Sequence, residues 1–472
     1  MFIDARKAHL NPKCEEDVYI ELPEECGAAP GVCGKLNYWL YGFRKAAAAW
    51  EALYASYFEE VGFVRGESCG VVFYHPGRDI SLAVHGDDFT FSGLEEDLIW
   101  IRDLIQSWFE IKVRAMLGPD AKDDKEVVIL GRIVKYRNWG ITYEADPKHR
   151  RLLMEKFGFD EKSKGLAGNG EKEEKEVEGD EWDLDKEEST DYRANAARMN
   201  FLSLDCPDLQ FPSKGCSREM SNPKQGSWKG LKKLVRYLVT RGSVVWNFEW
   251  QEEPGGSEVD TDSDWGGNSK DRHSTSGGVW RLGKHAIKTW SATQGAYALS
   301  SAEAELYSMI EGVTRAKGLL SLARELGFVG LSNVLRLGTD SSAAKSCVCR
   351  RGLGKMRHLE IRDLWLQKEV SDGKLVGVKI PGEKNPADLM TKYLKNSEIV
   401  CRLGMMGMVL EGGSADGVEV CSVEVVTERF GDQVTVIDEK GFEFVPKRGA
   451  AVIETTGGVV IDHVTGMGKS MQ

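Results

Sequence analysis

Asp87 and Asp88 stand side by side in the stretch LAVHGDDFTFSG, between two short runs of β-forming residues. Aspartate is an ordinary turn residue and Gly86 supplies the backbone freedom a tight turn needs, so a plain reversal accounts for the position. Two like charges this close repel, however, and the arrangement becomes favourable when a divalent cation sits between them and other carboxylates. That chemistry needs a third acid. The second half of the chain offers a separate set: Asp262 in VDTDSDWGG, Glu305 in SSAEAELYS, Asp340 in LRLGTDSSAA and Asp388 in EKNPADLMTK. Four converging carboxylates would hold two hard divalent cations about 3.5–4 Å apart, the geometry that activates water and stabilises the leaving oxygen in phosphodiester cleavage.

Each acid also has a structural reading. Asp388 could simply favour a helix dipole, with Asn385 as N-cap and Pro386 at the first helical position. Asp340 could be a loop acid. Asp260, Asp262 and Asp264 have the spacing of a calcium loop, but Trp265 fills the position that needs glycine and no entering helix is evident. Glu303 competes with Glu305. The run from Ser300 to Glu303 fits a capping box, which gives Glu303 a structural task and leaves Glu305, on a stripe with Ala302 and Met309, as the ligand.

The elements that must position these acids follow from periodicity. Residues 1–120 read as α/β: a strand at Phe2-Ile3-Asp4, a helix through AAAAWEALYASYFEEVGF, a hairpin from Val71–Tyr74 to Ile80–Val84, and an amphipathic helix in EEDLIWIRDLIQSWFEIK. KEVVILGRIVKYRNWGITYEA then reads as two strands joined at Arg137-Asn138. A mainly helical stretch, 190–241, ends in SWKGLKKLVRYLVTRG, which puts Lys229, Lys232, Lys233 and Arg236 on one face and Trp228, Leu231, Leu234, Val235 and Leu238 on another. A charged face is ordinarily solvated surface, yet this one is purely basic, which suits a phosphate backbone. Across 243–394, GSVVWNFEW, GGVWRLG and AIKTWSA read as strands, SSAEAELYSMIEGVTRAKGLLSLAREL as a long helix and VLRLGTD as a short buried strand. Early strands end near Asp262 and Asp340 and the last helix opens at Asp388, and strand ends and helix starts are where an α/β sheet gathers reactive groups.

Composition sets the bounds. The 472 residues suffice for two to four domains, and 41% hydrophobic with 29% charged residues is globular. The net charge of −12 is concentrated: Glu171 to Glu188, EKEEKEVEGDEWDLDKEE, holds eleven acids and three lysines, a local −8 that leaves −4 elsewhere. This run is poor in apolar residues and follows a glycine-rich stretch, so it reads as a disordered, solvated insertion. Ten scattered cysteines, with only Cys347 and Cys349 close together, lack paired C-x-x-C spacing and suit reduced thiols in an intracellular protein of cytoplasm or nucleus. No apolar run approaches ~18 residues and no signal-peptide core is present, so no membrane role is expected.

DSDWGGNSKDRHSTSGGVW, ALSSAEAELYS, TDSSAAKS, RHLEIRDLWL and NPADLMTKYL, in this order over residues 260–394, resemble the ribonuclease H domain that ends copia-type retrotransposon polyproteins. The resemblance implies a metal-binding catalytic quartet of Asp262, Glu305, Asp340 and Asp388. Many ribonucleases H carry a histidine just before the last acid, and IPGEKNPAD has none. Upstream, FIDARKAHLNPKCEEDVYIELPEE, LNYWLYGFRKAAAAWEAL and LAVHGDDFTFSG resemble the reverse transcriptase palm of the same elements, which makes Asp4 the third acid of a polymerase metal triad with Asp87 and Asp88. SREMSNPKQGSWKGLKKLVRYL resembles the segment between the two domains and implies nucleic-acid contact by the basic helix. Departures fall at His85 and Gly86, where the family usually has Tyr and Val, and at Lys45 and Ala47, where it has Gln and Pro. Only Met-Phe-Ile precedes Asp4, so the polymerase fingers are expected to be missing, and no protease, integrase or zinc-knuckle segment is seen.

The expected architecture is α/β and α+β multidomain: a truncated palm at 1–158, an acidic disordered insertion at 159–189, a helical thumb or connection at 190–242, a ribonuclease H-like mixed β-sheet domain with flanking helices at 243–395, and a tail at 396–472 of no assigned role. The resemblance implies two Mg²⁺ per site, with Mn²⁺ as a substitute, and partners that are RNA–DNA hybrid, template-primer, further copies of the chain or other retroelement proteins. Weak or absent polymerase activity and cleavage of RNA in the hybrid are the expectations. The competing reading is a non-catalytic remnant that binds nucleic acid.

Overall fold

The computed structural model describes residues 1–412 except 30, 161, 171–178, 269 and 355, and beyond them the backbone of five short strands at 427–430, 433–437, 443–444, 451–455 and 458–462. It divides into two compact units, one of residues 1–128, 134–138 and 317–331, the other of 129–133, 139–316 and 332–472.

In the first unit, β1 (Phe2–Ala5) is followed by the paired strands β2 (Tyr19–Glu21) and β3 (Cys33–Lys35), α1 (Arg44–Glu60), β4 (Val64–Arg65), β5 (Val72–His75), β6 (Ile80–His85), β7 (Asp88–Ser92), α2 (Glu95–Trp108) and β8 (Ile111–Ala115). The main sheet has the order β4-β5-β6-β7-β1-β8, which puts the N-terminal strand between β7 and β8. Alternation decides which face is buried: Ile80, Leu82 and Val84 of β6 point inward while Ala83 and His85 are exposed. Against that face α1 packs Trp50, Tyr54 and Phe58, spaced one helical turn apart, and α2 packs Leu98, Ile101 and Ile105. The core is aromatic, with Trp50 edge-on to Phe109 at 4.7 Å and Phe58 edge-on to Phe89 at 5.7 Å.

The division between the units passes through β9 (Glu126–Ile129) and β10 (Arg132–Arg137), which with β11 (Gly140–Ala145) make three strands where two were expected. The additional reversal is at Leu130-Gly131, both left-handed with φ of 47° and 70°; leucine is an unusual residue there, so local composition does not announce the turn. In chain order there follow α3 (Pro147–Lys156), α4 (Lys186–Ser203), α5 (Pro207–Arg218), α6 (Gln225–Arg241), β12 (Ser243–Glu249), β13 (Ser257–Asp264), β14 (Thr275–Leu282), β15 (His285–Thr293), α7 (Ser301–Glu325), β16 (Leu335–Thr339), α8 (Ser342–Cys349), α9 (Trp365–Ser371), β17 (Leu375–Lys379), α10 (Asn396–Met405) and β18 (Met408–Glu411), all in the second unit except residues 317–325 of α7. The second unit's mixed sheet has the order β15-β14-β13-β16-β17, antiparallel through β13 and parallel beyond it.

Three boundaries differ from those read in the sequence. β12 lies outside the mixed sheet and pairs with β11 and β18, because its alternation specifies a strand but not the partner. The supposed tail supplies α10 and β18, whose Ile399, Leu403, Met406 and Met408 are buried in one core with the helices α3 to α6. α4 begins at Lys186 inside the acidic run, since Asp185 accepts the Glu188 amide at 2.8 Å and Glu188 accepts that of Asp185 at 3.1 Å, a reciprocal cap. Residues 171–178 of that run lie outside the described residues.

A fully buried ion pair fastens this core. Arg241 of α6 donates to Asp208 of α5 at 2.9 Å, and the Tyr237 hydroxyl donates to the same carboxylate at 2.8 Å. The Asn169 amide donates to the Asp208 carbonyl and accepts from the Leu394 amide, so the helices are tied to the segment leading into α10. No described helix is long and apolar enough to cross a membrane.

Candidate active sites

The first acid centre forms where β1 lies beside β7. Their antiparallel register sets Asp4 opposite Asp88, and the Ala5 amide donates to the Asp87 carbonyl at 2.8 Å. Gly86, at φ 66°, makes the reversal between β6 and β7, and the Trp50 indole donates to its carbonyl at 2.9 Å, pinning the turn to α1. One oxygen from each of Asp4, Asp87 and Asp88 lies within 4.8 Å of the others. Burial raises the pKa of Asp88; Arg114 opposes the rise, and Asp87 and Asp4 add to it. Arg114, on β8, donates to Asp4 at 2.6 Å and lies 3.2 Å from Asp88. It escaped the sequence reading because a lone arginine in a short strand carries no local sign of its target.

The second centre gathers at the carboxyl ends of β13 and β16. Asp262 on β13, Glu305 in the first turns of α7 and Asp340 directly after β16 each place an oxygen within 4.8 Å of the other two. Glu305 is steered by the amide and hydroxyl of Ser263, at 3.2 and 3.1 Å, and by the Thr339 hydroxyl at 3.4 Å. Asp262 is held through its carbonyl by Ser308 at 2.6 Å and through its carboxylate by the Thr391 hydroxyl.

Asp388 sits beside this trio rather than within it. It lies on a short 3₁₀ turn, Pro386–Met390, with Asn385 capping it as expected, and it does not open the last helix. Its carboxylate is ion-paired with Lys392 at 2.7 Å and Arg402 at 3.1 Å, and Lys392 reaches Asp262 at 3.4 Å. Crowding several buried carboxylates has the expected electrostatic result. Burial pushes Asp262 up to about 7, with Lys392 pulling it down and Asp388 and Asp340 pushing it further up. Burial and the charges of Asp262 and Asp340 push Glu305 up to about 8. Asp340 is raised as well, chiefly by burial.

Glu303 faces away from this chemistry. Its Oε2 accepts the Leu299 amide at 2.9 Å and lies 2.8 Å from His358 Nε2, and its Oε1 accepts the Tyr307 hydroxyl at 2.8 Å, so its task is structural although the bonding differs from a simple capping box. The spacing of a calcium loop at Asp260–Asp264 is likewise absorbed by the sheet, where Asp260 pairs with buried Arg281 and Asp264 accepts the Thr275 amide.

No protein-family model matches the chain. It is 25% identical over 425 residues to the Retrovirus-related Pol polyprotein from transposon TNT 1-94 of Nicotiana tabacum, covering 86% of this chain and 30% of that one. It is 25% identical over 413 residues to the corresponding polyprotein from transposon RE2 of Arabidopsis thaliana, covering 83% and 26%. Its sequence is thus similar to retrotransposon Pol polyproteins. It spans less than a third of the length of each of these relatives. Among solved structures it is similar to the foamy viral protease-reverse transcriptase in complex with RNA/DNA hybrid, with a TM-score of 0.48 and 12% identity over 80% of this chain and 43% of that one.

The basic face of α6 is present, with Leu231, Leu234, Val235 and Leu238 buried and Lys229, Lys232 and Lys233 exposed. Part of it is engaged. Lys229 is paired with Asp180 at 2.6 Å, Arg236 donates to the Lys164 carbonyl at 3.3 Å, and Lys232 lies over the Phe159 ring at 5.9 Å. Thr391, Lys392 and Arg402 were not singled out from sequence. Lys392 stands four residues beyond Asp388 in NPADLMTKYL, the one local signal that could have flagged it.

Proposed function

We propose that this chain is a copia-type reverse transcriptase/ribonuclease H module whose second acid centre directs Mg²⁺-dependent cleavage of RNA in RNA–DNA hybrids. The observation that carries the reading is the convergence of Asp262, Glu305 and Asp340, buried or half-buried and mutually repelling. The donor set is all carboxylate oxygen, which suits a hard divalent cation and neither zinc nor copper. Bound there, two such ions would polarise the scissile phosphate and supply a hydroxide nucleophile, as in other two-metal phosphodiester cleavage. The residues of the chain itself prepare this. Ser263 and Thr339 fix the Glu305 carboxylate, Ser308 and Thr391 fix Asp262, and the Lys392 ammonium offsets negative charge between Asp262 and Asp388. Asp388 is the fourth candidate ligand, held one ion pair away.

The centre formed by Asp4, Asp87 and Asp88 supports nucleotidyl transfer as the companion activity, with template-primer as substrate. Arg114 would then be the counter-charge that keeps the three acids together when no metal is bound. The exposed lysines of α6 suit the phosphate backbone of either substrate.

The test is digestion of a labelled RNA–DNA hybrid by the full chain with Mg²⁺ or EDTA, beside Asp340→Asn. Cleavage by the parent chain alone, and only with metal, is the expected result. Salt-dependent hybrid binding with no turnover by either protein would mean a binding remnant and would sink the catalytic reading.

A further inference from the structure

The acidic run raises a physical question, because a chain read as acting on polyanions carries a local −8 next to its most basic helix. Its described part, residues 179–185, is laid along the N-terminal end of α6. The Gln225 amide donates to the Trp182 carbonyl and the Gly226 amide to the Asp180 carbonyl, both at 2.9 Å, and Asp183 bridges to Lys224 as a β-pair. The approach is close: a Cβ at Gly226 would lie 3.2 Å from both the Cβ and the carbonyl oxygen of Asp180. Upon this backbone scaffold two ion pairs form, Lys229 with Asp180 at 2.6 Å and Lys224 with Asp183 at 3.0 Å, and Lys224 also donates to the Glu181 carbonyl at 3.1 Å.

Further along α6 the same basic face runs into an open cleft of about 610 Å³ lined by Lys233, Arg236 and Lys395. Cations therefore extend from the N-terminus of α6 to the start of α10, and among the described residues Asp183 and Asp180 of the strap pair with Lys224 and Lys229 at the beginning of that track. Asp180 and Asp183 each occupy one lysine of this track.

We propose that residues 179–185 are an internal competitor for nucleic acid, an acidic strap whose Asp180 and Asp183 hold the lysines at the start of α6 until a phosphate backbone displaces them. The proposal rests on the reading of α6 as a phosphate-contacting helix. Exposed ion pairs are individually weak, so displacement is graded by salt and by the phosphate density of the ligand rather than all-or-none. The strap lowers affinity for short or sparsely charged ligands and disfavours them against long duplexes.

The experiment uses the full chain and measures binding to a fluorescent RNA–DNA hybrid in EDTA, so that it does not depend on cleavage. Asp180→Asn with Asp183→Asn is compared with the parent and with Glu59→Gln/Glu60→Gln, which makes the same change in net charge on α1. The strap variant is expected to bind about three- to tenfold more tightly at low salt, with a log–log salt slope steeper by about one to two units, one for each lysine released. The α1 control should bind like the parent. Adding Lys229→Ala to the strap variant should remove most of the gain, and a peptide of residues 179–190 added in trans should weaken binding by the strap variant. An equal gain in the α1 control, an unchanged slope, or a gain that survives Lys229→Ala would overturn the proposal. Loss of Mg²⁺-dependent cleavage with the affinity pattern intact would instead strike the catalytic reading and leave the strap standing.

Discussion

The Lys392 ammonium lies between two acids of the second centre, 2.7 Å from Asp388 and 3.4 Å from Asp262. Burial works against this charge, but Asp262, Asp388 and Asp340 outweigh it, and the lysine is held protonated well above any working pH. A lysine so placed competes with divalent cations for the oxygens it neutralises. Lys392→Met, which keeps the volume of the stem, should lower the Mg²⁺ concentration for half-maximal hybrid cleavage several-fold and destabilise the metal-free protein at pH 8 more than at pH 5. Titration of cleavage against Mg²⁺ decides the matter, and a raised requirement would mean that the ammonium positions the acids rather than competing for them.

The raised carboxylates make metal-free stability depend on pH with a definite sign. Asp262 and Glu305 sit at about 7 and about 8 in the folded chain, against roughly 4 when unfolded. Between about pH 4 and pH 8 the folded state thus binds more protons than the unfolded one, and stability falls as pH rises through that window. The thermal midpoint in EDTA should decrease by several degrees from pH 5 to pH 8.5. Asp262→Asn with Glu305→Gln should flatten the decline, and Mg²⁺ should restore the midpoint of the parent at pH 8.5 but not that of the double variant. A parent profile as flat as the variant's would show that these acids are not protonated on folding.

The buried pair of Asp208 and Arg241 makes a different prediction, about the helical core. With both side chains inaccessible, removing one partner strands a charge, which costs about 3–5 kcal/mol, whereas replacing both with apolar residues is often neutral. Arg241→Met should therefore lower the denaturant midpoint severely, and Asp208→Leu/Arg241→Met should recover much of the loss. Non-recovery would indicate that the Tyr237 bond to the Asp208 carboxylate matters more than the charge pair.

How far the sequence could be read depended on whether the signal was local. The paired aspartates, the helix faces of α1, α2 and α6 and the acids at strand ends declare themselves by spacing, because each follows from a period of two or of 3.6 residues. The cap of α4 was also present, as Asp185 and Glu188 three residues apart, but it was submerged in the acidic run. What could not be read was choice of partner. The alternation in β12 is equally consistent with either sheet, Asp208 resembles any acid at the start of a helix, and the attachment of Arg114 to Asp4 spans more than a hundred residues. Lys392 and Arg402 belong with these, since their roles exist only once the turn at Pro386–Met390 has brought Asp388 between them.

The turn at Gly86 permits a final test that separates the two centres. The Trp50 indole donates to the Gly86 carbonyl immediately before Asp87, so α1 fixes the reversal that carries two of the three acids. Trp50→Phe keeps a large aromatic ring in the core yet removes that donor, a loss of about 1 kcal/mol for a hydrogen bond of this kind, with some further cost from the smaller ring. The loosened turn should disperse Asp87 and Asp88 and weaken Mn²⁺ binding at the first centre, read by paramagnetic broadening of nearby resonances. Hybrid cleavage, which the proposed function assigns to Asp262, Glu305 and Asp340 in the other unit, should be unchanged at temperatures well below the thermal midpoint. Should Trp50→Phe impair cleavage as strongly as it impairs Mn²⁺ binding, the two centres could not be treated as independent, and the turn would have to be regarded as supporting both.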